Sequence, residues 1–140
     1  MSNVRTKDRS PHRFETSDKA LALYDHTTNL VANARVFDRT YKTLIDDIEY
    51  QVTMIYHLCR VANEDLNNKI KDEAEERIRL QAQAINHCKW LKTDIKLAQR
   101  KFKFRAKKAV YWTKLVNETC DLIKKWNDSE IRAAKNNHGL

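Results

Sequence analysis

Neither glycine nor proline occurs between Phe14 and His138, because the only proline of the chain is Pro11 and the only glycine is Gly139. Tight hairpins and the turns of β-sheets depend on glycine, proline or Asn-Gly pairs. The sequence therefore predicts an all-α chain. It also excludes the glycine-rich loops with which many nucleotide-binding enzymes hold phosphates.

Apolar residues recur at helical spacing in four stretches, which predicts four amphipathic helices. The predicted N-caps are Thr16 or Ser17 for the first helix, Asp38 or Thr40 for the second and Asp72 for the third. The predicted core faces run from Ala20 to Ala34, from Tyr41 to Ala62, from Ala74 to Ala98, and, within a fourth helix spanning residues 106–126, from Ala109 to Trp126.

The junction between the third and fourth helices has two interpretations, because residues 100–108 contain no helix breaker. One is a continuous helical rod over residues 73–127. We favour a turn near residues 100–104, since two shorter helices can bury their apolar faces against each other. The predicted architecture is an antiparallel up-down four-helix bundle over residues 16–127, with a flexible basic arm (1–15) and a polar, fraying tail (128–140).

The residue types and spacings of metal and catalytic sites are missing. The chain has no Cys-x-x-Cys, His-Glu-x-x-His or Glu-x-x-His pair. Three widely spaced cysteines, Cys59, Cys88 and Cys120, predict reduced, inert core thiols of a cytoplasmic protein. We predict no metal site, cofactor or catalytic residue. No apolar run is long enough for a signal peptide or a membrane span.

Positive charge is concentrated between Arg100 and Trp126, where nine basic residues meet only two acidic ones, Glu118 and Asp121. This stretch carries +7 of the formal net charge of +8. A concentrated positive surface is typical of proteins that bind polyanions. The predicted nucleic-acid-binding residues are Arg100, Lys101, Lys103, Arg105, Lys107, Lys108, Lys114, Lys124 and Lys125.

The densest part of that stretch is residues 100–108, here called the basic segment, with six cations and two phenylalanines. Phe102 and Phe104 either stack on unpaired bases or close the end of the bundle where the chain turns, and we favour the second role. The cations either bind a polyanion or form a solvated face compensated by acids. Because so few acids accompany them, we favour the polyanion, and a membrane surface is a weaker alternative.

Several short motifs, in the same order and spacing, resemble those of the small four-helix proteins related to the accessory variability determinant (Avd) of diversity-generating retroelements. That superfamily also includes the ribosomal intervening-sequence four-helix proteins. The resemblance covers residues 13–127. The motifs are Arg13-Phe14, Lys19-Ala20-Leu21, Ala74-Glu75-Glu76-Arg77-Ile78-Arg79-Leu80-Gln81, Cys88-Lys89, and Tyr111-Trp112-Thr113-Lys114-Leu115-Val116 followed by Trp126.

The resemblance implies a barrel-like homopentamer with a basic surface and no active site of its own. It implies a reverse transcriptase and the RNA of the retroelement, with its cDNA, as partners in error-prone cDNA synthesis and retrohoming. By position, it implies that Arg77, Arg79 and Lys114 are candidate partner contacts. Tyr111 and Trp112 are expected to be packing residues.

The chain departs from the family at residues 99–108, where family members commonly have a glycine-containing turn. The alternative interpretation is a structural or host-RNA-associated four-helix protein without a polymerase partner. An enzyme is a third class, which the residues favour least.

Overall fold

The computed structural model describes the backbone of residues 11–140 and the side chains of residues 15–140. This part of the chain contains four α-helices and no strand, as the sequence predicts. Each helix packs against the next, and the first also packs against the fourth. Because the links are short, neighbouring helices are antiparallel, and the result is an up-down four-helix bundle. The helices are α1 (Pro11–Val31), α2 (Lys42–Glu64), α3 (Lys71–Lys101) and α4 (Ala106–His138).

The first helix begins earlier than the predicted N-cap at Thr16 or Ser17. The predicted arm lies outside the described residues up to residue 10, and its remaining residues, from Pro11, are helical. Proline is tolerated in a first turn because the N–H groups there have no acceptor within the helix. The helix ends at Val31, so Ala34 is exposed instead of lying on the core face.

The starts of the next two helices are one turn or less from the predicted positions. The carboxylate of Asp38 accepts a hydrogen bond from the backbone N of Thr40 at 2.9 Å and caps a short 3-10 turn, Arg39–Tyr41, that leads into α2. Asp72 lies in the first turn of α3, where its charge complements the helix dipole, and Ile70 is the N-cap.

The link between α3 and α4 is the turn that the sequence predicts, and the continuous rod is excluded. α3 ends at Lys101 and α4 begins at Ala106. The backbone is extended at Phe102, with φ −114° and ψ 145°, and again at Arg105, with φ −63° and ψ 138°. The two helices therefore fold back on each other over a link of four residues.

α4 is longer than predicted, and the expected fraying tail is wrong. The helix continues through residues 127–138 and ends at Gly139, whose φ of 67° is the left-handed conformation usual at a helix C-terminus. Glu130 and Ala134 continue the buried stripe beyond Trp126 and are 8% and 3% exposed. The apolar periodicity of the sequence does not predict this continuation, because the acidic residue Glu130 occupies a core position.

Glu130 is buried because it binds Arg77, which is only 2% exposed. The guanidinium Nη2 donates to the Glu130 carboxylate. Its Nη1 donates to the carbonyl oxygens of Ala62 at 2.6 Å and Leu66 at 2.9 Å, at and just beyond the end of α2. Arg77 thus joins α2, α3 and α4, and its predicted role as a partner contact is wrong because the side chain does not reach the surface.

The register of the first half of α3 also differs from the predicted core face. Arg77 and Ala84 take the central positions, whereas Ala82 is exposed and Ile85 is half-buried. Because the charged residue Arg77 occupies a core position, the apolar residues alone predict a core face that is rotated around the helix from the real one. From Cys88 to Ala98 the predicted face is confirmed.

We predict that Glu130→Ala lowers the free energy of unfolding by about 3–5 kcal/mol, because it leaves the Arg77 cation buried without its carboxylate. Urea denaturation followed by circular dichroism measures the change. The double variant Arg77→Met with Glu130→Leu removes both charges, and we expect it to recover most of the loss. A near-neutral Glu130→Ala would show that the ion pair is not needed for stability.

Candidate nucleic-acid interface

Side chains of the link between α3 and α4 alternate between the core and solvent. Phe102 is 4% exposed, and its ring centroid lies 4.7 Å from that of Phe37. Phe104 is half-buried, 5.5 Å from Phe37 and 6.3 Å from Trp112 by the same measure. The intervening Lys103 is exposed, as expected for extended backbone, where successive side chains point to opposite sides. The two phenylalanines therefore close this end of the bundle, the role favoured from the sequence.

All six cations of the basic segment are exposed, and none forms an ion pair with a carboxylate of the described residues. The sequence explains this, since no acid occurs from Ile95 to Asn117. Lys101 also lies 5.7 Å from the ring centroid of Tyr41 in a cation–π contact. We call this surface the basic end of the bundle. Its residues are Arg100, Lys101, Lys103, Arg105, Lys107 and Lys108.

The start of α4 adds further positive potential to the basic end. Arg105 is the N-cap, its own side chain makes no capping hydrogen bond, and the first turn of the helix has no acidic residue. The backbone N–H groups of a first turn carry the positive end of the helix dipole and attract anions.

The other predicted nucleic-acid-binding residues do not join this surface. Lys114 is exposed, but its Nζ lies 3.8 Å from Glu118 Oε1. Lys124 and Lys125 are exposed further along α4, about 30 Å from the basic end at 1.5 Å per residue. Lys125 borders a cleft that is also lined by Glu15, Asp18, Glu118 and Asp121. The nine cations therefore divide into an uncompensated group of six at the basic end and a separate group of three on α4, of which Lys114 and Lys125 lie near acids.

Arg79, which the resemblance implies as a partner contact, is exposed on α3. Its guanidinium binds the carboxylate of Glu76 one turn earlier, with Nε at 2.8 Å from Oε2. Arg79 and Lys114 thus lie at the surface with partly compensated charges, whereas Arg77 is buried.

A cleft of about 590 Å³ adjoins the basic end between α1 and α4. Arg105, Lys107 and Lys108 line one side, and the ring of Tyr111 lines the cleft beside them. The expectation that Tyr111 is a packing residue is wrong, because it is 51% exposed. Its neighbour Trp112 is fully buried, as expected, and donates from Nε1 to Thr27 Oγ1 at 3.0 Å.

The three cysteines are buried and free, and two of them have the properties of core thiols. Burial raises the pKa of Cys59 to about 12. A hydrogen bond to Cys120 and burial raise the pKa of Cys88 above its usual range. The same hydrogen bond lowers the pKa of Cys120 below its usual range, which the sequence does not predict. Cys120 is only 4% exposed, and so a substrate has little access to it.

One carboxylate pair arises only through the fold. Asp47 on α2 and the buried Asp94 on α3 lie within hydrogen-bonding distance, and burial, followed by that contact with Asp47, raises the pKa of Asp94 to about 8. Oδ2 of Asp94 has no donor among the described residues. A proton shared between the two carboxyl groups supplies one, so the pair carries a single negative charge near neutral pH.

Within residues 15–140, no group of three or more histidine, cysteine or acidic side chains comes together in a position to hold a metal ion. None of the described helices is both long and apolar enough to cross a membrane.

Comparisons with known proteins give no family assignment. No protein-family model matches the sequence, and neither the curated proteins nor the solved structures contain a significant match.

We predict that the contribution of Asp94 to the free energy of unfolding falls as pH rises from about 5 to about 9, by on the order of 1 kcal/mol or more, and that this fall appears in the difference between the wild type and Asp94→Asn. The folded chain holds the Asp94 proton up to about pH 8, whereas the unfolded carboxyl loses it near its ordinary value of 3.8. The folded state therefore binds more protons in this window, and the stability due to the pair is lost as pH rises through the folded pKa.

Asp94→Asn is expected to flatten that slope, because the amide does not titrate. Urea denaturation at a series of pH values measures it. Asp46→Asn is the matched control, because Asp46 precedes Asp47 on α2 but is exposed and paired with Lys42. The free energy of unfolding of this variant should depend on pH as that of the wild type does. An unchanged slope in Asp94→Asn would contradict the assignment of a shared proton.

Proposed function

We propose that this chain is a non-catalytic, RNA-binding accessory subunit of the Avd type, which supports the reverse transcriptase of a diversity-generating retroelement. The proposal combines the motif resemblance with a four-helix bundle and a basic surface at one of its ends. In this role the protein binds the template RNA and the polymerase during error-prone cDNA synthesis and retrohoming.

The observation that carries the RNA-binding part is the basic end. Its six exposed cations lack carboxylate partners among the described residues, and the N-terminus of α4 lies among them. Side chains that hold no internal ion pair are available to neutralise phosphates and release their counterions. Contacts of this kind position a nucleic acid without reading its sequence.

The proposed partners follow from the resemblance. Assembly into a homopentamer would bring five basic ends into one particle and would place a long RNA in contact with several of them. A reverse transcriptase bound to that particle would receive template RNA that is already held in place. The accessory subunit then needs no active site, since the polymerase supplies the chemistry.

We predict that Arg105→Glu with Lys108→Glu weakens RNA binding at least about 10-fold and makes the salt dependence of log Kd shallower by about one to two units. Both side chains lie at the basic end without ion pairs to the described residues. Fluorescence anisotropy with a labelled RNA at several salt concentrations measures both quantities.

The matched control is Lys124→Glu with Lys125→Glu, which changes the net charge equally on the same helix but away from the basic end. We expect a much smaller loss of affinity from this variant. Equal losses in both variants would mean that net charge, and not the basic end, determines binding.

We further predict that light scattering gives a particle of about five times the 16.6 kDa chain mass.

We also predict that the chain co-purifies with the reverse transcriptase encoded beside its gene. The control is a reverse transcriptase from an unrelated element. A genome with no reverse transcriptase or template and variable repeats near this gene would contradict the retroelement role and favour the host-RNA alternative.

A further inference from the structure

The cleft between α1 and α4 has the size and lining of a ligand site. Its volume of about 590 Å³ falls within the range of pockets that hold small organic ligands. A second cleft of about 410 Å³ shares Leu30, Asn33, Arg105 and Lys108 with it and extends to Lys103. The two form one groove that runs beside the basic end, and no carboxylate of residues 15–140 lines either of them.

The lining of the groove is mainly apolar, which suits a base, and three residues of the larger cleft carry cations, which suit a phosphate. Arg105, Lys107 and Lys108 line it, and the N-terminus of the 33-residue helix α4 begins there. Cationic side chains and first-turn N–H groups converge in the same way on phosphates in other proteins. No acidic residue of the first turn opposes them.

The same groove offers a flat aromatic surface and two amides. Tyr111 is 51% exposed, and His26 holds its ring edge-on, with the ring centroids 5.1 Å apart and the planes at 68°. Burial and the nearby charge of Lys108 lower the pKa of His26, so the imidazole is neutral near pH 7 and does not repel the lysines. Asn29 and Asn33 line the cleft, and the side-chain NH₂ group of each can donate to the edge of a base. Oδ1 of Asn33 already accepts a hydrogen bond from the backbone N of Arg35 at 3.1 Å.

We infer that this groove holds a nucleotide of single-stranded RNA, with its base against Tyr111 and its phosphate at the start of α4. The inference rests on the proposed function and adds that the RNA is bound as an unpaired strand. A base inside a duplex is covered on both faces by its neighbours and cannot stack on a side chain. Cations alone would bind a duplex as well as a single strand, so Tyr111 is the residue that discriminates.

The test compares Tyr111→Ala with Tyr111→Phe, which keeps the ring and serves as the matched control. Each protein is titrated with an unstructured RNA strand of about 12 nucleotides and with the duplex of the same length. We expect Tyr111→Ala to weaken single-strand binding by about 5- to 100-fold and to leave duplex binding unchanged. Tyr111→Phe should bind both RNAs within about twofold of the wild type.

A direct readout uses 2-aminopurine placed at successive positions of the strand. At saturating protein, stacking on the ring at position 111 should quench the fluorescence of 2-aminopurine in the wild type and in Tyr111→Phe. No such quenching is expected in Tyr111→Ala. Because Tyr111 is half exposed, the alanine variant should keep its helical circular dichroism and its melting temperature. Adenosine monophosphate serves as a competitor that distinguishes a strand from a free nucleotide.

Several outcomes would overturn the inference alone. The first two are that Tyr111→Ala loses single-strand and duplex binding equally, or that it loses neither. The third is that Tyr111→Phe loses as much binding as Tyr111→Ala. The fourth is that adenosine monophosphate binds as tightly as the strand. A wild-type protein that binds neither RNA would instead overturn the proposed function and this inference together.

Discussion

The extended link between α3 and α4 determines where the charge of this protein is placed. Phe102 and Phe104 are drawn into contact with Phe37, and the extended backbone between them turns the alternate side chains outward. Lys103 and Arg105 are therefore exposed, while Phe102 is buried and Phe104 is half-buried. The burial of two aromatic rings supplies the free energy that keeps like charges close together at one end of the bundle. The contact fixes Lys103 and Arg105 of the link, whereas the other four cations of the basic end are placed by the helices α3 and α4.

The two ends of the bundle differ in the burial of their arginines. At the basic end, Arg105 is exposed without an ion pair to the described residues, and it remains available to an external phosphate. Toward the other end, Arg77 is buried. Its Nη atoms donate to Glu130 and to carbonyl oxygens near the end of α2, whereas its Nε has no acceptor among the described residues. A buried cation is tolerated only with such partners. Burial, and not the number of charges, decides which arginine is free to bind a partner.

The candidate ligand groove depends on the closure of the bundle between its first and last helices. His26 and Asn29 come from α1, whereas Lys108 and Tyr111 come from α4. Trp112 fixes the two helices against each other through its hydrogen bond to Thr27. The preceding residue, Tyr111, is then directed away from the core, because consecutive helical residues face different sides. The same packing that buries one aromatic ring therefore presents the other to a ligand.

The sequence by itself determined the helical class, the core stripes apart from the first half of α3 and the end of α1, the turn after α3 and the cluster of cations, because each depends on residues within a short stretch of chain. It placed the phenylalanines correctly for the same reason. Only the tertiary structure decided that Arg77 and Glu130 are core residues, that α4 continues beyond Trp126, that Asp47 meets Asp94, and that Tyr111 lines a groove. Each of these depends on a partner far away in the sequence, and the periodicity of one helix carries no information about what the opposite helix presents.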